Sequence, residues 1–137
     1  MAFFKGDEVE VCSKQDGFLG SYFAATVINN YGNHSYEVQY KRLLTDDESG
    51  PLIEVVDADE VRPKPPKILA TGFASLDMVD AFDNDGWWVG KISGKQGSNY
   101  YVYFDTYRVE ILYPSFRLRP HLDWGVGKWI SSKKRVY

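Results

Sequence analysis

Apolar and polar residues alternate with a period of two in three short runs. Val9 and Val11 alternate with Glu8 and Glu10, Tyr36, Val38 and Tyr40 with Glu37 and Gln39, and Tyr100, Val102 and Phe104 with Tyr101 and Tyr103. That period predicts strands with one buried face. Tyr36, Val38, Tyr100 and Val102 are therefore expected in a core. Residues that tolerate left-handed backbone cluster between the runs: Asp16-Gly17, Asn29 to Asn33, Asp85-Gly86 and Gly94 to Asn99. These mark turns. No stretch of about 11 residues holds a helical period, although one short helical turn fits between Asp57 and Val61. The pattern predicts an all-β protein.

The pattern also repeats. Lys5-Gly6-Asp7-Glu8-Val9-Glu10-Val11 aligns with Ser75-Leu76-Asp77-Met78-Val79-Asp80-Ala81, and Tyr22 to Val27 aligns with Trp87 to Ile92. Tyr36 to Tyr40 aligns with Tyr100 to Phe104, and Val61-Arg62-Pro63 with Leu118-Arg119-Pro120. Four blocks in one order predict two copies of one unit. Arg62-Pro63-Lys64-Pro65-Pro66-Lys67 lies between them and reads as a stiff connector, because proline fixes φ and has no N–H for a central strand. The expected domains are residues 1–66 and 67–137. Each is about 60 residues of short strands, a size that is marginal alone. The expectation is two small SH3-like or Tudor-like barrels packed on each other.

Composition narrows the function. Aromatic residues make up 16% of the chain and include 10 Tyr, more than a small core needs. Some rings are thus expected to face a ligand. The net charge is −3, but residues 1–66 hold 6 Lys/Arg against 12 Asp/Glu, and residues 67–137 hold 10 against 7. The acidic first half suits a basic partner. Lys128, Lys133, Lys134 and Arg135 form a basic end, which reads as a solvated terminus or a linker. The single cysteine, Cys12, allows no internal disulfide and fits a reducing compartment. No apolar run approaches the roughly 18 residues of a membrane span, and the acidic N-terminus does not read as a secretory signal. Asn33-His34-Ser35 is therefore a chance match to a glycosylation acceptor.

The sequence offers little for catalysis. Two histidines and one cysteine make no zinc set. Gly90 and Gly94 are not followed by the Gly-Lys-Ser/Thr of a phosphate loop. Asp46-Asp47-Glu48 lacks the spacing of a calcium loop. Cys12 reads as packing, with a Cys12–His34 pair left open by sequence. No enzyme, metal or cofactor is expected.

The motifs do resemble a known family. Phe82-Asp83-Asn84-Asp85-Gly86-Trp87-Trp88-Val89-Gly90-Lys91-Ile92, then Tyr101 to Phe104, then Leu118-Arg119-Pro120, is similar to the plant Agenet motif of the Tudor superfamily. The first half resembles a more divergent copy through Gly6 to Val11, Gly20 to Val27, Tyr36 to Tyr40 and Val61-Arg62-Pro63. Leu122 to Gly125 and Lys128 to Ile130 resemble the exit of an Agenet pair. The resemblance implies a non-catalytic nuclear reader of a methylated lysine or arginine. Plant tandem Agenet proteins of this kind include readers of heterochromatic dimethyl-lysine on histone H3. The implied partner is a methylated H3 tail, with lysine-9 dimethylation the expected mark, and the chain is expected to be part of a longer repeat protein.

In Tudor-like barrels the cage is built from strand ends at the barrel mouth. The resemblance therefore points to Tyr22, Phe23, Tyr31, Tyr40 and Asp46 in the first copy, and to Asp83, Trp88, Phe104 and Tyr107 as an alternative cage in the second. Trp87 reads as a cap on the second barrel. Glu8, Glu10 and Asp47 are the expected docking points for a basic tail, and Glu8, Glu10, Glu37 and Glu54 also read as a solvated strand face. Nucleic acid is the secondary partner, through exposed rings and the basic end, but a pI near 5.3 disfavours it. A scaffold contact without methyl specificity is the other alternative.

Overall fold

The computed structural model describes residues 2–131 of the 137-residue chain. The basic cluster Lys133, Lys134 and Arg135 lies outside the described residues. The chain divides into two compact units, the first ending at Lys64 and the second beginning at Pro65. The described residues form strands and two 3-10 turns, with no α-helix among them.

The first unit contains β1 (Glu8–Cys12), β2 (Ser21–Asn30), β3 (Ser35–Leu44), β4 (Pro51–Asp57) and β5 (Val61–Pro63), with a 3-10 turn at Ala58–Glu60. All neighbours are antiparallel, in the order β4-β3-β2-β1-β5. Arg62 and Pro63, which open the proline-rich connector, belong to β5 and pair with Glu10 and Val9. Proline is tolerated there because β5 is an edge strand. The inward face carries Val9, Val11, Phe23, Ala25, Val27, Tyr36, Val38, Tyr40, Val56 and Val61, all buried.

The second unit repeats this order as β9-β8-β7-β6-β10, from β6 (Met78–Asp83), β7 (Gly86–Gln96), β8 (Asn99–Phe104), β9 (Val109–Pro114) and β10 (Leu118–Pro120). Its core joins Val79, Ala81, Ile92, Tyr100, Val102, Phe104, Tyr113 and Leu118. A further hairpin follows, β11 (Leu122–Gly125) with β12 (Lys128–Ser131), which pairs Trp124 with Trp129.

The two copies agree in detail beyond the sequence blocks. Phe3 and Phe73 each donate a backbone N–H to a core tyrosine hydroxyl, Tyr36 at 3.1 Å and Tyr100 at 3.3 Å. Each also packs edge-on against that ring. The turn that follows needs left-handed backbone in both copies. Gly6 supplies it at φ 94°, and Leu76 adopts it at φ 73°, a conformation that glycine takes without steric penalty. β2 is bulged between Val27 and Asn29, and β7 at the equivalent place between Ile92 and Gly94. A bulge strengthens the local twist and lets one long strand turn the corner of a small barrel.

Candidate functional site

One end of the first barrel gathers rings and a carboxylate. Phe23 stands on the inward face of β2, two residues from Ala25, and Ala25 pairs with Tyr40 on β3. The two rings are thus diagonal neighbours across the strand pair, within reach of each other. Val38 pairs with Glu54 on β4, which brings Glu54 beside Tyr40. The Tyr40 hydroxyl donates to Glu54 Oε1 at 3.0 Å. Burial, then the charge and hydrogen bond of Glu54, push the phenol far above its ordinary range. Tyr40 therefore stays a hydrogen-bond donor to Glu54.

Phe18 completes the group from the β1–β2 loop. Its ring meets that of Phe23 edge-on at 6.1 Å, and it is 44% exposed. The buried Ser21 holds the loop by donating both its hydroxyl and its N–H to the Phe18 carbonyl. Phe18 and Glu54 were not among the residues that the sequence pointed to. Phe18 sits among turn residues without periodicity. Glu54 reads as a solvated strand residue until the β3–β4 register sets it against Tyr40.

The other first-copy candidates lie elsewhere. Tyr22 pairs with Cys12 and faces outward, opposite to Phe23. The Arg62 guanidinium stacks 3.5 Å from its ring centroid. Tyr31 is exposed in the β2–β3 loop, eight residues along β2 from Phe23 and so roughly 25 Å away at the far end of the strand. Asp46 is exposed in the turn after Leu44, and Glu54 holds the carboxylate position beside Tyr40. Asp47 is the anchor of that same turn. Its Oδ1 accepts from the hydroxyls of Thr45 and Ser49 and from the Ser49 N–H. The Thr45 bond leads the causes that lower its pKa to about 2.

Glu10 is a correction. It is buried and accepts from Arg62 Nη2 at 2.8 Å and from Nε at 3.2 Å, so it locks β1 to β5 and does not meet a ligand. Glu8 is exposed and paired with Lys41 and Lys64. These two lysines hold its carboxyl below the usual range, the Lys41 hydrogen bond first. A docking tail would have to displace both.

The second copy brings its four candidates together. Trp88 Nε1 donates to the Asp83 carbonyl at 2.7 Å, and its ring meets Tyr107 edge-on at 5.8 Å. Phe104 packs edge-on against Tyr113 at 6.2 Å. The Tyr113 hydroxyl donates to Asp83 Oδ2 at 2.8 Å. No alternating polar and apolar run marks β9, so the sequence does not single out Tyr113. Trp87 lies under the Arg119 guanidinium, 4.1 Å from centroid, and Arg119 donates to the buried Asp80 at 2.8 Å. The first copy has the same construction in Glu10, Arg62 and Tyr22. An acid on the first strand, an arginine on the last and a ring on the second thus fasten each barrel from outside its core.

The groups considered for other chemistry are occupied or separated. Cys12 pairs with Tyr22, while His34 follows the far end of β2, so the two are not partners. Burial raises the Cys12 thiol pKa, which opposes nucleophilic use. Carboxylate oxygens of Asp57, Asp59 and Glu60 lie within 4.8 Å of one another. Asp59 pairs with Lys14, and Glu60 accepts the Asp57 N–H.

Two tandem five-stranded barrels, each with rings and a tyrosine-held carboxylate at its mouth, define a Tudor-like module. The Agenet domain model matches residues 6–66 and 76–122, and the chain belongs to the Agenet domain family. It is 38% identical over 128 residues, 93% of the chain, to the Arabidopsis thaliana protein AGENET DOMAIN (AGD)-CONTAINING P1. It is 40% identical over 133 residues, 89% of the chain, to DUF724 domain-containing protein 3 of the same plant. The chain spans 25% and 19% of the lengths of these two relatives. Among solved structures, the crystal structure of Arabidopsis thaliana AGDP1 AGD34 superposes with a TM-score of 0.90 at 36% identity, covering 95% of this chain and 90% of that one. The ADCP1 tandem Agenet domain 3-4 superposes with a TM-score of 0.86 at 34% identity, covering 95% and 88%.

Proposed function

We propose that this tandem Agenet chain is a non-catalytic chromatin reader that binds a methylated lysine of a histone H3 tail at the mouth of its first barrel. The observation that carries the reading is the Tyr40–Glu54 pair, set beside Phe23 and the exposed ring of Phe18. A methylated ammonium keeps its charge but loses hydration, and each ring face attracts it by roughly 0.5–2 kcal/mol. Glu54 adds a carboxylate that can accept the N–H left on a mono- or dimethyl form. The acidic balance of residues 1–66, 6 basic against 12 acidic, speeds the approach of a basic tail.

The resemblance to plant readers of heterochromatic marks makes H3 dimethylated at lysine 9 the ligand of choice and the nucleus the place of action. The chain is one segment of a longer protein in this reading, as its short share of its relatives suggests. Nucleic acid is the weaker alternative, since a chain of net charge −3 is poorly suited to neutralise a phosphate backbone.

The test is a titration of H3 peptides carrying zero to three methyl groups on lysine 9, and of single-stranded RNA, at two salt concentrations. The dimethyl peptide is expected to bind at least about ten-fold tighter than the unmodified one, a difference of about 1.4 kcal/mol. Equal affinities would end the reading.

A further inference from the structure

We infer that His121 is a proton-operated latch between the second barrel and the β11–β12 hairpin, closed while both ring nitrogens carry protons and loosened when one proton leaves. This goes beyond the function proposed above and does not depend on which ligand the chain takes.

The hairpin is the least supported element of the second unit. β11 and β12 form a two-stranded sheet of their own, and two strands alone are marginal in water. Among its described residues only Leu122 is buried. Its turn sets Val126 at φ 51° with the side chain 98% exposed, a backbone conformation that is unfavourable for a β-branched residue. His121 stands where the barrel hands over to the hairpin. Its N–H donates to the Met78 carbonyl at 3.1 Å, continuing the pairing of β10 with β6. Its ring reaches both ways. Nδ1 lies 2.7 Å from Asp80 Oδ1 on β6, and Nε2 lies 2.8 Å from Asp123 Oδ1 on β11.

Ionised carboxylates only accept, and a neutral imidazole has a single N–H. Both contacts are therefore hydrogen bonds only while the ring is an imidazolium. Once a proton leaves, one ring nitrogen turns a lone pair towards a carboxylate. The two acids differ in how they can respond. Asp80 is 1% exposed, and its other oxygen accepts from Arg119 Nε on β10 at 2.8 Å, so it stays in place. The Asp123 side chain is half exposed and can return to water. The Asp123 bond is the one that gives way, and β11 loses its tie to the barrel. The charged groups that face His121 are thus Asp80, Arg119 behind it, and Asp123. Burial pulls the ring's pKa down, but Asp80 and then Asp123 outweigh it and raise it above the ordinary value. The latch is therefore closed at low pH and loosens as pH rises through the folded pKa. The first copy has no such bridge. Lys64 stands in the place of His121, following Arg62-Pro63 and donating its N–H to the Glu8 carbonyl at 3.3 Å. Pro66 stands in the place of Asp123.

The experiment is NMR of the whole chain between about pH 5.5 and pH 9, with the His121 ring signals assigned through His121→Gln. The ring is expected to titrate with a midpoint above about 6.5. Over the same midpoint, protection of the Trp124 and Trp129 amides from hydrogen exchange, corrected for the intrinsic effect of pH on exchange, is expected to fall at least about five-fold. Above the midpoint it should lie at least about ten-fold below that of Val102 in the barrel core, as local opening requires. In Asp123→Asn, a change at an exposed side chain, the His121 midpoint should move down and hairpin protection should lose its pH dependence. A ring that does not titrate in this range overturns the inference. So do hairpin amides that open only together with Val102, which would give His121 a role in global stability alone. An unchanged pH dependence in Asp123→Asn overturns it as well.

Discussion

Arg62 stacks on Tyr22, 3.5 Å from guanidinium carbon to ring centroid, while it donates to the buried Glu10. Arg62→Met removes one partner of a desolvated ion pair and leaves buried Glu10 without its guanidinium. The expected loss is about 3–5 kcal/mol, read from urea unfolding of the whole chain. The double change Glu10→Met/Arg62→Met should lose much less than Arg62→Met alone, because no orphan charge remains.

Glu54→Gln keeps an oxygen for the Tyr40 hydroxyl and removes the charge. Dimethyl-lysine peptide affinity is expected to fall about five- to ten-fold, roughly 1–1.4 kcal/mol. Trimethyl-lysine has no N–H to give, so its affinity should fall less. Calorimetric titration of both peptides measures the difference, and an equal loss for both would remove the hydrogen-bonding role of Glu54.

Much of the frame was legible in the sequence, and the reason is periodicity. Tyr36 and Val38 lie mid-strand in an alternating run, and both are buried. The repeat was readable because both copies spend the same residue types on the same tasks, down to Arg62-Pro63 and Arg119-Pro120. The site was less legible. Successive strand residues point to opposite faces, so Tyr22 and Phe23 cannot both line one mouth. Phe23 and Tyr40 are each only 5% exposed, so their rings open little onto the mouth and Phe18 carries most of the exposed ring surface. Phe18 and Glu54 come from a loop and a neighbouring strand. Phe18 reaches the site through Phe23, and Glu54 reaches it through the β3–β4 register that sets it against Tyr40, which one strand's pattern does not encode.

His121 is buried between two carboxylates, with Nδ1 2.7 Å from Asp80 and Nε2 2.8 Å from Asp123. Burial pulls its pKa down, but the two aspartates outweigh it and raise the folded value above 6.5. A raised folded pKa means that the stabilisation is full below the unfolded value and is lost as pH rises through the folded one. The melting midpoint should therefore decline as pH rises above about 6.5. In His121→Gln this part of the decline should vanish, as paired melts at several pH values will record.

Gly90 sits where β7 crosses close to β8. A Cβ there would lie 2.5 Å from Val102 Cγ1, 3.0 Å from the Tyr103 carbonyl and 3.1 Å from Phe104 Cδ1. Gly90→Ala is expected to destabilise by about 1–3 kcal/mol through overpacking. At Gly94 the nearest atom is Tyr101 Cδ2 at 3.4 Å, and Gly94→Ala should be nearly neutral in the same denaturant melts.

The edge pairing of β5 with β1 also fixes an order of events at the ribosome. The hairpins β2–β3 and β3–β4 join residues that are near in sequence and can form as they emerge. Glu10 must wait for Arg62, 52 residues later, and closing such a loop carries an entropic cost that nearer contacts do not bear. Nascent chains stopped at residue 60 should therefore be cut readily by protease, and chains that expose residues 1–64 should resist it. The first unit is completed by its last strand, so it closes only once that strand has emerged.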